Sequence, residues 1–117
     1  MSNKKVFLAN CSLMSFISAA ILLMPAEIHA ADATDGAALV KQNSCVACHG
    51  MDKKIIGPGF SEIAAKYKGS ADAMAMLTQK IKTGTSGTWG AVPMPAQAHV
   101  KDGDIKIMVG WILAGAK

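Results

Sequence analysis

The stretch Cys45-Val46-Ala47-Cys48-His49 constrains this chain more than any other. Two thiols three positions apart, followed at once by an imidazole, form the spacing that attaches a haem covalently and offers an axial nitrogen to its iron. Cys45 and Cys48 are the candidates for the two thioether bonds, and His49 for the proximal ligand. Two other uses of a C-x-x-C pair fit less well. A thioredoxin-like dithiol belongs in a βαβ context, and a zinc site needs a second ligand pair downstream. No cysteine follows Cys48, and the only later histidine is His99.

Upstream, Lys4 and Lys5 precede an apolar run from Val6 to Met24, then Pro25 and a small-residue exit at Ile28-His29-Ala30. This pattern predicts a cleaved secretory signal peptide over residues 1–30 and a single domain over residues 31–117. A retained anchor fits less well, because the run is barely long enough to span a bilayer and is broken by Asn10, Cys11 and several serines. Cys11 would suit a lipoprotein only if a small residue preceded it, and Asn10 stands there. The expectation is a soluble periplasmic protein with no stable membrane insertion after cleavage. In that oxidising compartment a lone C-x-x-C pair tends to close as a disulfide, so haem attachment requires the thiols to be reduced first.

A domain of 87 residues has only a marginal apolar core of its own. Aromatic residues make up 5% of the chain, so a porphyrin would be its largest core group. After Ala30 there are ten lysines, no arginine and seven acids, a formal charge of +3. That is too slight, and too poor in arginine and interleaved aromatics, for nucleic acid. It suits a weakly cationic surface that steers an acidic protein partner.

The rest of the domain reads as short helices and long loops. Thr34 or Asp35 is expected to cap a helix running from Gly36 towards the motif, and Ser61 one over residues 62–68 that Gly69 closes. Ser70 is expected to cap a third helix, residues 71–82, stopped by Gly84. From Asp102 a last helix places Ile105, Met108, Ile112 and Ala116 on one stripe, with Ile107, Trp111 and Ala114 beside it. Gly110 within it predicts a close helix crossing, with Gly36 as its counterpart. No strand pattern or repeat is evident, so the fold class is all-α.

Residues 84–100 are dense in glycine and proline, which excludes a regular element and suggests a loop ordered by what it binds. At its centre Pro93 and Pro95 clamp Met94 in extended backbone. That makes Met94 the preferred sixth ligand, since a weak thioether donor is held at little ordering cost. Met51 is too near His49 in sequence to reach the other face, and Met74, Met76 and Met108 fall in helical patterns where methionine is usually core filler. His99 reads as a surface residue, with a minor alternative as ligand. Trp89 reads as a buried aromatic whose indole N–H could donate to a haem propionate. Pro58 has an ordinary turn role, or its carbonyl accepts the free ring N–H of His49.

Together Cys45-Val46-Ala47-Cys48-His49, Ile56-Gly57-Pro58, Ala64-Ala65-Lys66-Tyr67, Trp89-Gly90 and Val92-Pro93-Met94-Pro95, with Trp111 in the last helix, resemble the small bacterial class I cytochromes c of the c-551/c-552 type. The resemblance spans nearly all of residues 31–117. It implies one low-spin haem c in a shell of three to five helices, with His49 and Met94 on the iron, Pro58 on the proximal ring and Trp89 near a propionate. It also implies a periplasmic shuttle to respiratory partners such as a nitrite reductase or terminal oxidase. The all-lysine basic set departs from the pattern by offering no arginine to a propionate.

With both axial positions filled, the expected role is a monomeric electron carrier and not an enzyme. Donor and acceptor would dock at an exposed haem edge near Val46, Ala47, Ala91 and Val92, with Lys41, Lys53, Lys54, Lys80 and Lys82 as rim charges or simply solvated side chains. A haem peroxidase or ligand-binding sensor would instead need Met94 off the iron or readily displaced. A thiol-disulfide oxidoreductase would carry no haem at all.

Overall fold

The computed structural model describes residues 31–117, with side chains from Asp35 onward. The segment expected to be a signal peptide, residues 1–30 with Cys11, lies outside the described residues. Four helices follow in order: α1 (Ala31–Gln42), α2 (Phe60–Tyr67), α3 (Ala73–Thr83) and α4 (Asp102–Leu113). A single 3-10 turn, Cys45–Ala47, follows α1, and among the described residues the only β pairing is two isolated bridges, His49 with Lys54 and Thr85 with Met94.

α4 is the hub, because its apolar residues occupy more than one face. Ile105 and Val109 are fully enclosed, and Met108, Trp111 and Ile112 are buried with them. α1 packs along α4 most extensively, and α3 and α2 pack on its other sides. Val40 from α1, Phe60, Ile63 and Tyr67 from α2, and Ala73 and Leu77 from α3 complete the core.

Some sequence expectations shift by a few residues, each for a local reason. α1 begins at Ala31, so Thr34 and Asp35 lie within it and do not cap it. α2 begins at Phe60 behind Gly59, not Ser61, because Glu62 reaches back to accept the Gly59 N–H at 2.6 Å. α3 begins at Ala73, two residues beyond the helix start expected after Ser70, and Asp72 makes no side-chain capping bond. Its stop is as expected, with Gly84 at φ 80°.

The close crossing involves Gly36 but not Gly110. A Cβ on Gly36 would fall inside the Trp111 side chain and 3.2 Å from the Ile107 carbonyl, so α1 approaches α4 backbone to ring. A Cβ on Gly110 would meet nothing nearer than the Met74 side chain, at an ordinary 3.8 Å. Met74 also departs from expectation, being 40% exposed while Met108 is buried.

The two glycines therefore give opposite outcomes with alanine. Gly36→Ala should destabilise by about 1–3 kcal/mol through overpacking, whereas Gly110→Ala should be neutral or stabilise by up to about 1 kcal/mol through helix propensity. Denaturant midpoints of the two variants measure the difference; equal midpoints would refute the crossing.

Candidate functional site

The motif is presented by a tight reversal at the end of α1. Asn43 Nδ2 caps the Leu39 carbonyl at 2.9 Å, and Ser44 turns the chain in the left-handed region at φ 58°. The 3-10 turn follows, closed by Cys48 N–H and His49 N–H, both donating to the Cys45 carbonyl at 3.1 and 3.0 Å. Both cysteines are half-buried and free. Burial pushes the Cys45 thiol pKa up, the neighbouring Cys48 adds to this, and a backbone hydrogen bond opposes it.

His49 is 9% exposed, the one buried polar side chain among the described residues. Its Nδ1 lies 2.7 Å from the Pro58 carbonyl oxygen. A carbonyl can only accept, so Nδ1 carries the proton and Nε2 keeps its lone pair for a metal. Two further contacts fix the ring. Phe60 stacks on it at 5.5 Å and 23°, and Phe60 meets Trp111 edge-on at 5.3 Å, so an aromatic chain links α4 to the imidazole. Gly57 closes the remaining side, since a Cβ there would come within 2.6 Å of His49 Cε1. The 49–57 segment is held in place by Ile56 and Gly57 N–H donating to the Cys48 carbonyl at 3.1 and 2.8 Å.

A cleft of about 860 Å³, counted with its open mouth, lies against this ring. Cys48, His49 and Pro58 line it together with Tyr67, Leu77, Ile81 and the 85–95 loop. Met94 lines it too, half-buried, and exchanges both backbone bonds with Thr85 at 2.8 and 3.0 Å. The structure thus gathers His49, Pro58, Trp89 and Met94 at one cleft, with Cys48 in its wall. His99 is exposed and does not line it.

Trp89 is corrected by the structure. It is 36% exposed at the rim, not buried, with the Lys66 ammonium 5.3 Å from its ring centroid. Two lysines expected as rim charges are instead engaged. Lys80 donates to Thr85 and Thr88 hydroxyls at 3.2 Å each, and Lys82 bridges Asp102 at 2.8 Å and the Val100 carbonyl at 2.9 Å. That pairing holds the Asp102 carboxyl below the usual range, first through the hydrogen bond and then through the charge of Lys82.

These residues fit a covalent porphyrin. The cleft is walled mainly by apolar groups, as cofactor sites are. Cys48 stands in its wall, Cys45 lies three residues back at the start of the 3-10 turn and does not line it, and one imidazole presents an oriented lone pair. Phe60, not singled out from sequence, and Gly57, quoted there only as part of the Ile56-Gly57-Pro58 stretch, complete the support of His49.

The position of Gly57 sets a test. Gly57→Ala must displace the His49 ring or the backbone behind it, so the holoprotein should lose about 1–3 kcal/mol of stability and show a weakened proximal bond. Visible and resonance spectra with a denaturant melt measure both; an unchanged proximal signature would mean that the ring is not confined as described.

The chain is similar to known proteins over nearly all of its described length. Residues 33–115 match the family model described as Cytochrome c. Cytochrome c-552 of Nitrosomonas europaea is 48% identical over 75 residues, covering 64% of this chain and 73% of the relative. Cytochrome c-551 of Pseudomonas aeruginosa is 44% identical over 82 residues, covering 70% and 78%. The crystal structure of wild-type Nitrosomonas europaea cytochrome c552 superposes with a TM-score of 0.66 at 47% identity, covering 68% of this chain and 98% of that one. The class 1 cytochrome MtoD from Sideroxydans lithotrophicus ES-1 gives 0.60 at 29% identity, covering 74% and 98%. The chain belongs to the cytochrome c family: it is a small all-α electron-transfer haem protein whose prosthetic group is covalent haem c with its iron.

Proposed function

We propose that residues 31–117 form a periplasmic one-electron carrier, exported by cleavage of residues 1–30, with Cys45 and Cys48 as the attachment points and His49 and Met94 as axial ligands. The observation that carries this reading is that Met94, clamped by Pro93 and Pro95, lines the same cleft as the oriented imidazole of His49. Bound there, haem c supplies a reversible one-electron couple. His49 contributes a basic nitrogen whose orientation is fixed by the Pro58 carbonyl, and Met94 contributes a soft thioether that favours the ferrous state. With both positions taken there is no open site for substrate, which makes the protein a carrier and not an enzyme. Trp89 stands at the rim, where its indole can reach a propionate.

Exchange with a partner requires an apolar edge that desolvates easily. Val46 and Val92 are 39% and 63% exposed, and Ala47, Ile55, Ile56 and Ala91 are exposed near them in the chain. Lys41, Lys53 and Lys54 are exposed charges that can speed encounter with an acidic partner without prolonging the complex. A monomer docking briefly with respiratory donors and acceptors, a nitrite reductase or terminal oxidase among them, fits that surface. Among the described residues no helix is long and apolar enough to cross a membrane.

Met94→Ala tests the reading. Haem should stay attached and His49 bound, while the potential falls and imidazole or carbon monoxide binds more than about tenfold tighter, a gain of about 1.4 kcal/mol. Met108→Ala should cost about 2–5 kcal/mol of stability as a core truncation, and the exposed Met74→Ala within about 0.5 kcal/mol, neither changing the ligand. A Met94→Ala protein with the parent's spectrum and potential would place the sixth ligand elsewhere, with His99 the first to test.

A further inference from the structure

The loop that bears Met94 is secured by little backbone bonding. Its neck is the Thr85–Met94 pair, with an inner turn from Gly87 N–H to the Gly90 carbonyl at 3.1 Å and an outer anchor from Gln97 N–H to the Ile81 carbonyl at 2.9 Å. Gly84 lets the strands of the neck close up, since a Cβ there would lie 2.9 Å from the Met94 carbonyl. Between Thr85 and Met94, Ser86, Gly87, Trp89 to Pro93 are all exposed. Short ladders flanked by exposed backbone open at low free energy, so something beyond the neck must set how long Met94 stays in the cleft.

One side chain spans the two halves of that problem. Lys80, in the last turn of α3, lines the cleft half-buried and donates to both Thr85 Oγ1 and Thr88 Oγ1 at 3.2 Å. Thr85 is the residue whose backbone pairs with Met94, so the cation is one residue away from the ligand through hydrogen bonds. Among the described residues the sole ion pair is Lys82 with Asp102. The Lys80 ammonium therefore spends its hydrogen-bonding capacity on the loop rather than on a carboxylate, and charge-assisted bonds of this type are stronger than neutral ones.

We propose that Lys80 is a positioning residue for the sixth ligand: its ammonium, bridging Thr85 and Thr88, locks the loop on α3 and slows the departure of Met94. This rests on the reading of Met94 as ligand. The bridge acts on the rate at which the loop opens, not on the identity of the donor atom, so a ferric protein without it keeps its thioether bond but loses it more often.

The experiment uses the ferric holoprotein with excess imidazole, whose binding is limited by Met94 leaving, and compares the parent with Lys80→Met, Lys80→Arg and Thr88→Val. Lys80→Met keeps the stem's packing and should raise the limiting rate of imidazole entry about tenfold, the effect of losing bonds to a charged donor. Thr88→Val should raise it less, and Lys80→Arg should recover most of the parent rate. Global unfolding in denaturant is measured in parallel. A parent spectrum without thioether ligation would overturn the Met94 reading itself. A parent with thioether ligation, but with entry rates equal in Lys80→Met or raised equally in Lys80→Arg, would overturn the role of Lys80 alone. An entry rate that rises only in proportion to lost global stability would also overturn it, since that is what a merely structural lysine does.

Discussion

The hydrogen bond between His49 Nδ1 and the Pro58 carbonyl is the contact on which the rest of the site depends. It fixes the tautomer, and with it the direction of the free lone pair. A buried imidazole without such a partner would carry an unsatisfied polar group at a cost of about 1–3 kcal/mol. The bond is possible because Gly57 leaves room for the ring and Phe60 backs it. Phe60 in turn rests on Trp111, at the crossing where Gly36 lets α1 approach α4. Helix packing and ligand orientation are thus one continuous set of contacts.

The cleft side is organised differently. Its wall from α2 and α3 is helical, through Tyr67, Leu77 and Ile81, whereas the 84–100 segment has no regular structure and is tied down at separate points. Lys66 meets Trp89, Lys80 meets Thr85 and Thr88, and Lys82 meets Val100 and Asp102. Three lysines from two helices thereby hold one loop. Part of the basic set is thus structural, whereas Lys41, Lys53 and Lys54 are exposed. The division suits a carrier, which needs fixed ligands and a weakly held partner.

Much of the fold was legible in the sequence, for identifiable reasons. The attachment motif is legible because covalent chemistry fixes its spacing. α4 is legible because a helix buried on several sides writes its period in apolar residues, Ile105, Met108 and Ile112 among them. Helix starts were less so, because Ser61 and Ser70 look like caps while Gly59 does the work with a carboxylate supplied three residues later by Glu62. The exposure of Trp89 and Met74 was hidden because composition reports residue type and not which side of the fold a loop or helix face meets. Lys80 and Lys82 were indistinguishable from solvated lysines, since their hydroxyl, carbonyl and carboxylate partners come from the distant loop and the start of α4.

A haem bonded to Cys45 and Cys48 would leave a covalent mark on the domain over residues 31–117. The intact mass of the exported protein, taken under denaturing conditions that release any haem not covalently held, tests this most directly. The expected result is the mass of a chain beginning at Ala31 plus one haem, with the adduct confined to the peptide holding both cysteines. A bare chain, or one carrying only a Cys45–Cys48 disulfide, would contradict it.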